Sequence, residues 1–274
     1  MQYLIVGGNS VAGKTAATAA RAVDPEARIV ATTSGSGTVA GADQTIGGVD
    51  LNDPATLDRV TDALQGQSLR ALFFTPAFGA IGYPVAATPA EDIQGSLAFS
   101  FDPMVALTDA LKPELSVGYT AFYWLPHTLA AYGSMAYVKI AQEKKALAEP
   151  DRYRMIRAGT FASKATRGIG LLLQRQLRST KHEELLAMGR LWKESGKKFG
   201  DFFFDYAFQS ERGMFGDRFD APHRATEDAD LTRAARMILE GESAPIINVI
   251  GEWTWTEAAL PELDPGQFRL LDRV

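Results

Sequence analysis

The chain has 274 residues, of which 46% are hydrophobic and 22% charged, and its formal net charge is −5. These values suit one globular domain with a sizeable core, and they lack the basic excess that nucleic-acid-binding proteins carry. Because the sequence contains no cysteine, disulfides, thiolate metal sites and a cysteine nucleophile are excluded. We also expect no signal peptide and no membrane span, and hence a cytoplasmic protein without membrane partners.

Apolar runs alternate with helix-favouring segments along most of the chain. The apolar runs predict strands at residues 2–6, 28–33, 69–75, 117–124, 153–158 and 246–251, with a short third strand inside segment 34–48, ending near Val49. Helices are predicted at residues 13–23, 54–64, 91–111, 132–149 and 226–240. The pair Asp102-Pro103 is expected to disturb the third of these helices. The alternation predicts an α/β fold, a doubly wound, Rossmann-type parallel sheet of about seven strands.

Ligands of such sheets bind in the crevice outside the carboxyl ends of the strands. The crevice is therefore expected to be lined by the loops that follow residues 6, 33, 49, 75, 124 and 158.

A long helical segment, residues 160–222, follows the strand at 153–158. Its first part is basic, and the stretch from Phe199 to Phe219 holds eight aromatic residues. We expect one domain over residues 1–274, with 160–222 as a substrate-binding lid within it. Two interpretations stay open. The segment is a packed subdomain with a solvated face, or it is an apolar lid over an acyl or aromatic substrate, with its basic helix receiving an acidic carrier.

The first predicted strand leads into a glycine-rich turn that fits two phosphate-binding motifs. Residues 8–15, GNSVAGKT, match the G-x-x-x-x-G-K-[ST] string of P-loop nucleotide hydrolases and kinases. Residues 7–13, GGNSVAG, fit the turn that opens a dinucleotide-binding fold. Both motifs place a phosphate at a helix N-terminus. We favour the dinucleotide interpretation, because the second strand follows directly after one short helix, as in a compact βαβ unit. In addition, Asp50, the candidate magnesium ligand of a P-loop enzyme, also fits the dinucleotide interpretation.

The glycine turn and several later residues resemble the short-chain dehydrogenase/reductase family, whose first strand leads to T-G-x-x-x-G-x-G. Gly7 and Gly13 match the first and last of these glycines, and Val11 replaces the middle one. The pair Asp50-Leu51 resembles the family's D-[VL] pair, whose aspartate contacts the adenine. Residues 75–79 lie where the family carries N-N-A-G, and residues 157–160 lie where it has the turn beside the nicotinamide.

The resemblance implies a nicotinamide cofactor held by residues at the ends of the strands. These residues are Gly7, Gly8, Asn9, Ser10, Val11, Gly13, Thr32, Thr33, Ser34, Asp50, Leu51, Thr75, Pro76, Ala77, Lys139, Gly159 and Thr160.

Standard members of this family carry Tyr-x-x-x-Lys, and this chain has no such pair in the right place. Tyr132 and Lys139 are instead seven residues apart, about two helical turns with a rise of ~10 Å, so one helix would present both on one face. This spacing, with Met135 between the two and Tyr123 upstream, resembles the enoyl-acyl-carrier-protein reductase branch. The resemblance implies that Tyr132, assisted by Tyr123, stabilises a developing oxyanion and that Lys139 clamps the cofactor. Tyr137 is the reserve candidate.

The end of the second strand bears on the choice of cofactor. An acidic residue there would select NAD through the ribose hydroxyls, but Thr32, Thr33 and Ser34 occupy the position. Their hydroxyls can bind a 2′-phosphate, so we expect a slight preference for NADP(H) over NAD(H). Because His127, His182 and His223 lack metal-ligand spacing, no metal is expected.

The expected function is the reduction of an activated C=C, as in an enoyl thioester, or of a C=O. The substrate would be a small apolar or acyl molecule, free or bound to a carrier. Three alternatives stay open: a carbonyl reductase or alcohol dehydrogenase of the same family, a non-catalytic NAD(P)-binding sensor, and a P-loop nucleotide hydrolase or kinase. The resemblance also implies a homo-oligomer, and no nucleic-acid partner is expected.

Overall fold

The computed structural model describes residues 1–64, 66 and 68–274, with only the backbone described at 164 and 165. Its strands are β1 (Gln2–Val6), β2 (Arg28–Thr32), β3 (Gln44–Ile46), β4 (Leu69–Phe74), β5 (Leu115–Ala121), β6 (Tyr153–Ala158), β7 (Ile246–Ile250) and β8 (Trp253–Glu257). Its α-helices are α1 (Val11–Val23), α2 (Pro54–Leu64), α3 (Ala90–Ser100), α4 (Asp102–Leu111), α5 (Pro126–Ala131), α6 (Ser134–Ala148), α7 (Lys164–Gln176), α8 (Glu183–Ser195), α9 (Phe199–Phe215) and α10 (Asp228–Leu239).

The eight strands form one sheet in the order β3-β2-β1-β4-β5-β6-β7-β8. Strands β1 to β7 are parallel, and β8 pairs antiparallel with β7. The strand order reverses between β1 and β4, which defines the topological switch point of a doubly wound fold. The predicted fold class is therefore confirmed, and β8 is an additional strand that was not predicted.

Helices cover both faces of the sheet. On one face, alanines of α1 and apolar residues of α10 join a core cluster with Tyr3, Ile29 and Phe73. On the other face, side chains of α2, α4 and α6 pack with Leu4, Val30 and other strand residues. Alternate residues of each buried strand thus face opposite helical layers, as expected for a parallel sheet that is covered on both sides. Within the described residues, no helix is long and apolar enough to span a membrane.

One predicted helix is divided in the structure, and another begins later than predicted. The predicted helix 91–111 becomes α3 and α4, because Phe101 leaves the helical conformation and Pro103 lies in the first turn of α4, where proline is tolerated. The predicted helix 132–149 is wrong at its start. Tyr132 is the C-cap of the short helix α5, and Gly133, at φ +47°, separates it from α6.

Two strand ends also differ from the prediction. The strand predicted at 117–124 ends at Ala121, because the backbone turns there and the Leu125 N–H bonds to the Phe122 carbonyl. The strand expected to end near Val49 ends at Ile46.

Residues between β6 and α10 form the helices α7, α8 and α9. Their apolar side chains, including Leu173, Met188 and Phe202, pack with Ala130 and Ala131 of α5 in one cluster. The phenylalanine-rich stretch thus supplies the core of a helical layer that lies on α5. Because α5 directly follows β5, this layer stands at the carboxyl ends of the strands.

Candidate functional site

A tight glycine turn joins β1 to α1. Gly7 has φ +78°, and a Cβ atom there would lie 2.7 Å from the Thr75 Oγ1. A Cβ atom at Gly13 would lie 2.7 Å from the carbonyl oxygen of Gly7 and 2.7 Å from the Cα of Gly8. The Gly7 N–H donates to the Thr32 Oγ1 at 3.2 Å, which ties the turn to β2. Glycine is required at these positions because the backbone of the turn packs directly against α1.

The N-terminus of α1 offers an anion-binding surface at the switch point. Ser10 is the N-cap, and its Oγ accepts from the Gly13 N–H at 2.9 Å. The first turn carries no acidic side chain, and the N–H groups of Val11 and Ala12 have no intrahelical partner. Asn9 and Ser10 are exposed beside them. These residues fit a pyrophosphate, which binds where free N–H groups and the helix dipole favour negative charge.

The same geometry does not suit a P-loop. Helix α1 begins at Val11, inside the eight-residue string, so the long phosphate-wrapping loop is not formed. Thr15, whose hydroxyl would bind magnesium, is 2% exposed and donates to the Ala12 carbonyl at 2.9 Å. Lys14 lines a surface cavity of about 400 Å³ between α1 and α10, together with Asp228 and Arg233. Neither residue is placed for the role that the P-loop motif gives it.

Replacing Gly13 with alanine is expected to destabilise the protein by about 1–3 kcal/mol, because the new methyl group would meet backbone atoms that cannot rotate away. The change should also weaken dinucleotide binding, since the turn must move. Urea unfolding and titration calorimetry would measure both effects. Gly168→Ala on α7 is a suitable control, because a Cβ atom there meets nothing within 4 Å. That control should be stabilising by about 0.5–1 kcal/mol. Equal stability of the two variants would contradict this description of the turn.

The hydroxyls at the end of β2 are less free than the sequence indicates. Thr32 is 2% exposed, and its Oγ1 accepts from the Gly7 N–H. The Thr33 Oγ1 accepts from the Asn9 Nδ2 at 3.1 Å and from a backbone N–H of the next loop. Ser34 is exposed and begins a run of exposed residues, 34–38. Thr32 and Thr33 therefore brace the glycine turn, and of the three hydroxyls Ser34 is the one open to a ligand.

The predicted adenine-contacting pair and the loop after β4 flank this turn. Asp50 is exposed and its Oδ1 accepts from the Asn52 N–H at 3.0 Å, whereas Leu51 is buried. After β4, the Thr75 hydroxyl lies 2.9 Å from the Ser10 Oγ. Pro76 is half-buried and Ala77 exposed just beyond it. The structure thus brings together the loops after β1, β2 and β4 as predicted.

Lys139 is anchored at the end of β5. Its side chain comes from α6 and is 6% exposed. The Nζ donates to the Tyr119 carbonyl at 2.8 Å and to the Gln142 Oε1 at 3.2 Å. Burial lowers the pKa of Lys139 to about 8, against the opposing charge of Glu143. An ammonium held by backbone in this way is a fixed donor and a fixed charge.

Tyr132 caps α5 and lies just before α6. It is half-buried, and its backbone forms a parallel bridge with Tyr83 in the loop after β4. Burial, and then the charge of Glu211, raise the pKa of Tyr132 to about 12. Its hydroxyl is therefore protonated at neutral pH, and it can donate a hydrogen bond.

The other two tyrosines are placed differently. Tyr123 is fully buried, and its hydroxyl donates to the Glu143 Oε2 at 2.8 Å. Tyr137 is 1% exposed, and its hydroxyl accepts from the Leu270 N–H in the C-terminal segment. Both hydroxyls thus form hydrogen bonds within the core, whereas the Tyr132 hydroxyl has no such partner among the described residues.

A polar cluster that was not predicted lies beside the loop after β6. Gly159 is buried, and the Thr160 N–H donates to the Glu211 Oε1 at 2.5 Å. The Glu211 Oε2 lies 3.0 Å from the His223 Nε2, and the His127 Nε2 lies 3.4 Å from the Thr160 Oγ1. Helix α9 thus places a carboxylate against the loop that was expected to contact the nicotinamide.

Sequence reasoning missed Glu211 and His223. Glu211 follows Phe208 by three residues and precedes Phe215 by four, so it shares a stripe with apolar residues on α9. A single carboxylate within an aromatic stripe is the signal that could have identified it. Across the described part of the chain, no three His, Asp or Glu side chains are grouped to hold a metal ion.

The fold is similar to solved structures of short-chain dehydrogenases. A short-chain dehydrogenase family protein from Francisella tularensis is 16% identical, with a TM-score of 0.58 and coverage of 88% of this chain and 92% of that chain. A putative NAD(P)-dependent gluconate 5-dehydrogenase from Beutenbergia cavernae, with bound NADP at low occupancy, is 17% identical, with a TM-score of 0.51 and coverage of 65% and 79%. An NADPH-dependent reductase involved in bacilysin biosynthesis is 11% identical, with a TM-score of 0.52 and coverage of 66% and 81%.

The chain matches no protein-family model and no curated protein. At these identities the structural likeness establishes the fold. The chain has the doubly wound fold of the short-chain dehydrogenase/reductases, as the glycine turn and the alternating strands predicted. The enoyl reductase branch stays a prediction.

Proposed function

We propose that the protein is an NAD(P)(H)-dependent oxidoreductase that reduces an activated C=C or C=O of an apolar substrate. One observation carries this proposal: the buried ammonium of Lys139 is fixed at the carboxyl end of β5, on the same edge of the sheet as the glycine turn. A buried lysine with a lowered pKa is a functional candidate. Tyr132, which is protonated at neutral pH, lies just before helix α6, which carries Lys139.

The chain's own residues define how the cofactor would be held. The N–H groups at the start of α1 would bind the pyrophosphate. Ser34 and Asp50 are exposed on the side of β2 and β3, where the adenosine half belongs. Lys139 and Thr160 lie on the other side, where the nicotinamide half belongs. Because no acidic side chain ends β2 and Ser34 is open, we keep the slight preference for NADP(H).

A bound nicotinamide supplies the hydride. Tyr132 donates its proton toward the oxygen on which negative charge develops, and Lys139 adds a fixed positive charge. A tyrosine with a pKa of about 12 is protonated at neutral pH and can donate a hydrogen bond to the developing oxyanion. The seven-residue spacing of Tyr132 and Lys139 favours a C=C substrate of the enoyl thioester type.

We further propose that helices α7 to α9, within residues 160–222, form a substrate-binding lid. Their apolar cluster rests on α5 and includes Tyr132 at its border. This position supports an apolar or acyl substrate that enters between α9 and the ends of the strands. The exposed basic side chains of α8, such as Arg190 and Lys193, support delivery on an acidic carrier. A homo-oligomeric assembly is part of the same proposal.

The test is oxidation of NADPH and NADH, followed by absorbance, with a short enoyl thioester and with a matched ketone of equal chain length. We expect turnover with the enoyl thioester. Turnover with the ketone alone would favour the carbonyl reductase alternative. Tight cofactor binding with no turnover on a broad panel of both classes would favour the non-catalytic sensor.

A further inference from the structure

Glu211 is a carboxylate that the fold buries almost completely. It lies on α9 and is 1% exposed. Its Oε1 accepts from the Thr160 N–H at 2.5 Å, and its Oε2 lies 3.0 Å from the His223 Nε2. Within residues 1–64, 66 and 68–274, no lysine or arginine forms an ion pair with it. Burying a charge is costly unless it is paired, so one backbone donor and one imidazole leave this charge with little compensation.

The position of Glu211 relates it to the cofactor crevice. Thr160 follows β6, and its hydroxyl faces the His127 Nε2 of α5, which follows β5. In a doubly wound fold the pyrophosphate lies at the switch point, here the start of α1, and the adenosine ribose lies beside β2. The nicotinamide half must therefore extend across the ends of β4, β5 and β6. Glu211 contacts the backbone at this end of the crevice.

The ionisable groups near Glu211 are its direct partner His223, at 3.0 Å, and His127. Burial lowers the pKa of His127 to about 4, with Glu211 opposing, so the imidazole of His127 is neutral at neutral pH. The Nδ1 of His127 is buried and has no hydrogen-bond partner among the residues that the structure describes. The field of Glu211 also reaches Tyr132, where it helps to raise the pKa of the hydroxyl. A carboxylate whose field extends to the predicted catalytic tyrosine also acts on groups bound beside that tyrosine.

We propose that Glu211 stabilises the positive charge of the oxidised nicotinamide ring and thereby favours hydride donation. This inference rests on the proposed function. The reduced ring is neutral and the oxidised ring carries one positive charge, so a nearby fixed carboxylate binds the oxidised form more tightly. During reduction the hydride, with its two electrons, passes to the substrate, and the substrate oxygen receives its proton from Tyr132, which solvent then reprotonates. A carboxylate at this site lowers the energy of the charge that develops on the ring.

Binding of the two cofactor forms tests this role without any substrate. We would measure the dissociation constants of NADPH and NADP⁺ by titration calorimetry for the unmodified protein, for Glu211→Gln and for Asp201→Asn. Asp201 is exposed on the same helix, so its variant removes one negative charge without touching the cluster. Glu211→Gln should raise the ratio of the NADP⁺ to the NADPH constant about tenfold, as expected for two unit charges at close range in a partly buried site. Asp201→Asn should leave the ratio within about twofold.

A general loss of cofactor affinity leaves the ratio unchanged, because it alters both dissociation constants by the same factor. If Glu211→Gln does not fold, Glu211→Met, which keeps the length of the side chain, answers the same question. An unchanged ratio in a variant that binds both forms would overturn the role of Glu211 and leave the proposed function intact. Failure of the unmodified protein to bind either form would overturn both.

Discussion

Replacing Tyr132 with phenylalanine should lower kcat for the reduction about 10²–10³-fold, the usual cost of removing one donor to a developing oxyanion. The reason is geometric and electrostatic. The hydroxyl of Tyr132 has no partner within the described core, and its raised pKa keeps it protonated. The affinity for NADPH should stay within a few-fold, because the hydroxyl is not part of the glycine turn. Steady-state kinetics with the best enoyl or ketone substrate, together with calorimetry, would measure both.

Tyr137→Phe is the matched control for this experiment. It removes the same atom from the neighbouring helix, but the Tyr137 hydroxyl contacts the Leu270 N–H rather than the crevice. We expect a small loss of stability and nearly unchanged kcat. If instead Tyr137→Phe abolished turnover and Tyr132→Phe did not, the assignment of the working tyrosine would be wrong.

Replacing Arg157 with methionine should lower the free energy of unfolding by about 3–5 kcal/mol, the cost of leaving a buried charge without its partner. Arg157 and Glu143 are both fully buried. The guanidinium donates to the Glu143 carboxylate at 2.9 Å and 2.6 Å and to the Asn248 Oδ1 at 2.9 Å. It also forms an ion pair with Glu257 on β8, so this one side chain joins α6 to β6, β7 and β8.

Urea unfolding would measure the loss. The double variant Arg157→Met with Glu143→Gln should recover much of it, because the amide removes the unpaired buried charge while its oxygen can still accept from the Tyr123 hydroxyl. Asp205→Ala is the control, since it removes an exposed pair with Lys197 and should cost less than about 1 kcal/mol. Comparable losses in Arg157→Met and Asp205→Ala would contradict a structural role for the buried network.

The parts of the fold that could be predicted are those in which local pattern and tertiary environment agree. The strands at 2–6 and 153–158 and the helix at 54–64 have the predicted bounds. Each strand is a short, fully buried run of mostly apolar residues, with two arginines in the second, and the helix has a clear start and an amphipathic face. The glycine turn was predictable because Gly7 is required by its positive φ and the nearby Thr75 side chain, and Gly13 by close backbone contacts.

The break before α6 could not be predicted from the pattern. Gly133 adopts φ +47°, its N–H bonds to the Tyr83 carbonyl, and the next N–H bonds to the Ala80 carbonyl. These partners come from a loop about fifty residues earlier, so the break is a tertiary effect. As a result Tyr132 and Lys139 are not on one helix, and both stay candidates as residues of the segment that follows β5.

The burial of the charged groups in the site could be predicted only in part. Lys139 was a candidate from its spacing to Tyr132, and the aromatic stripe around Glu211 is a local signal, but neither pattern shows that the charge is buried. Their burial depends on how α6 and α9 pack against the strand ends, and long-range packing of this kind leaves little local signature. The contact of Thr32 and Thr33 with a 2′-phosphate stays a prediction; the structure adds that both hydroxyls accept hydrogen bonds from the glycine turn.

Binding of nucleotides by the purified protein decides between a dinucleotide site and a P-loop at the start of α1. We would titrate NADPH, NADH and Mg-ATP separately into the unmodified protein and into Gly13→Ala, with the melting temperature and calorimetric heat as readouts. Stabilisation of the unmodified protein by NADPH or NADH, lost or weakened in Gly13→Ala and absent with Mg-ATP, is the expected result. Stabilisation by Mg-ATP with no response to either nicotinamide cofactor would contradict the proposed oxidoreductase.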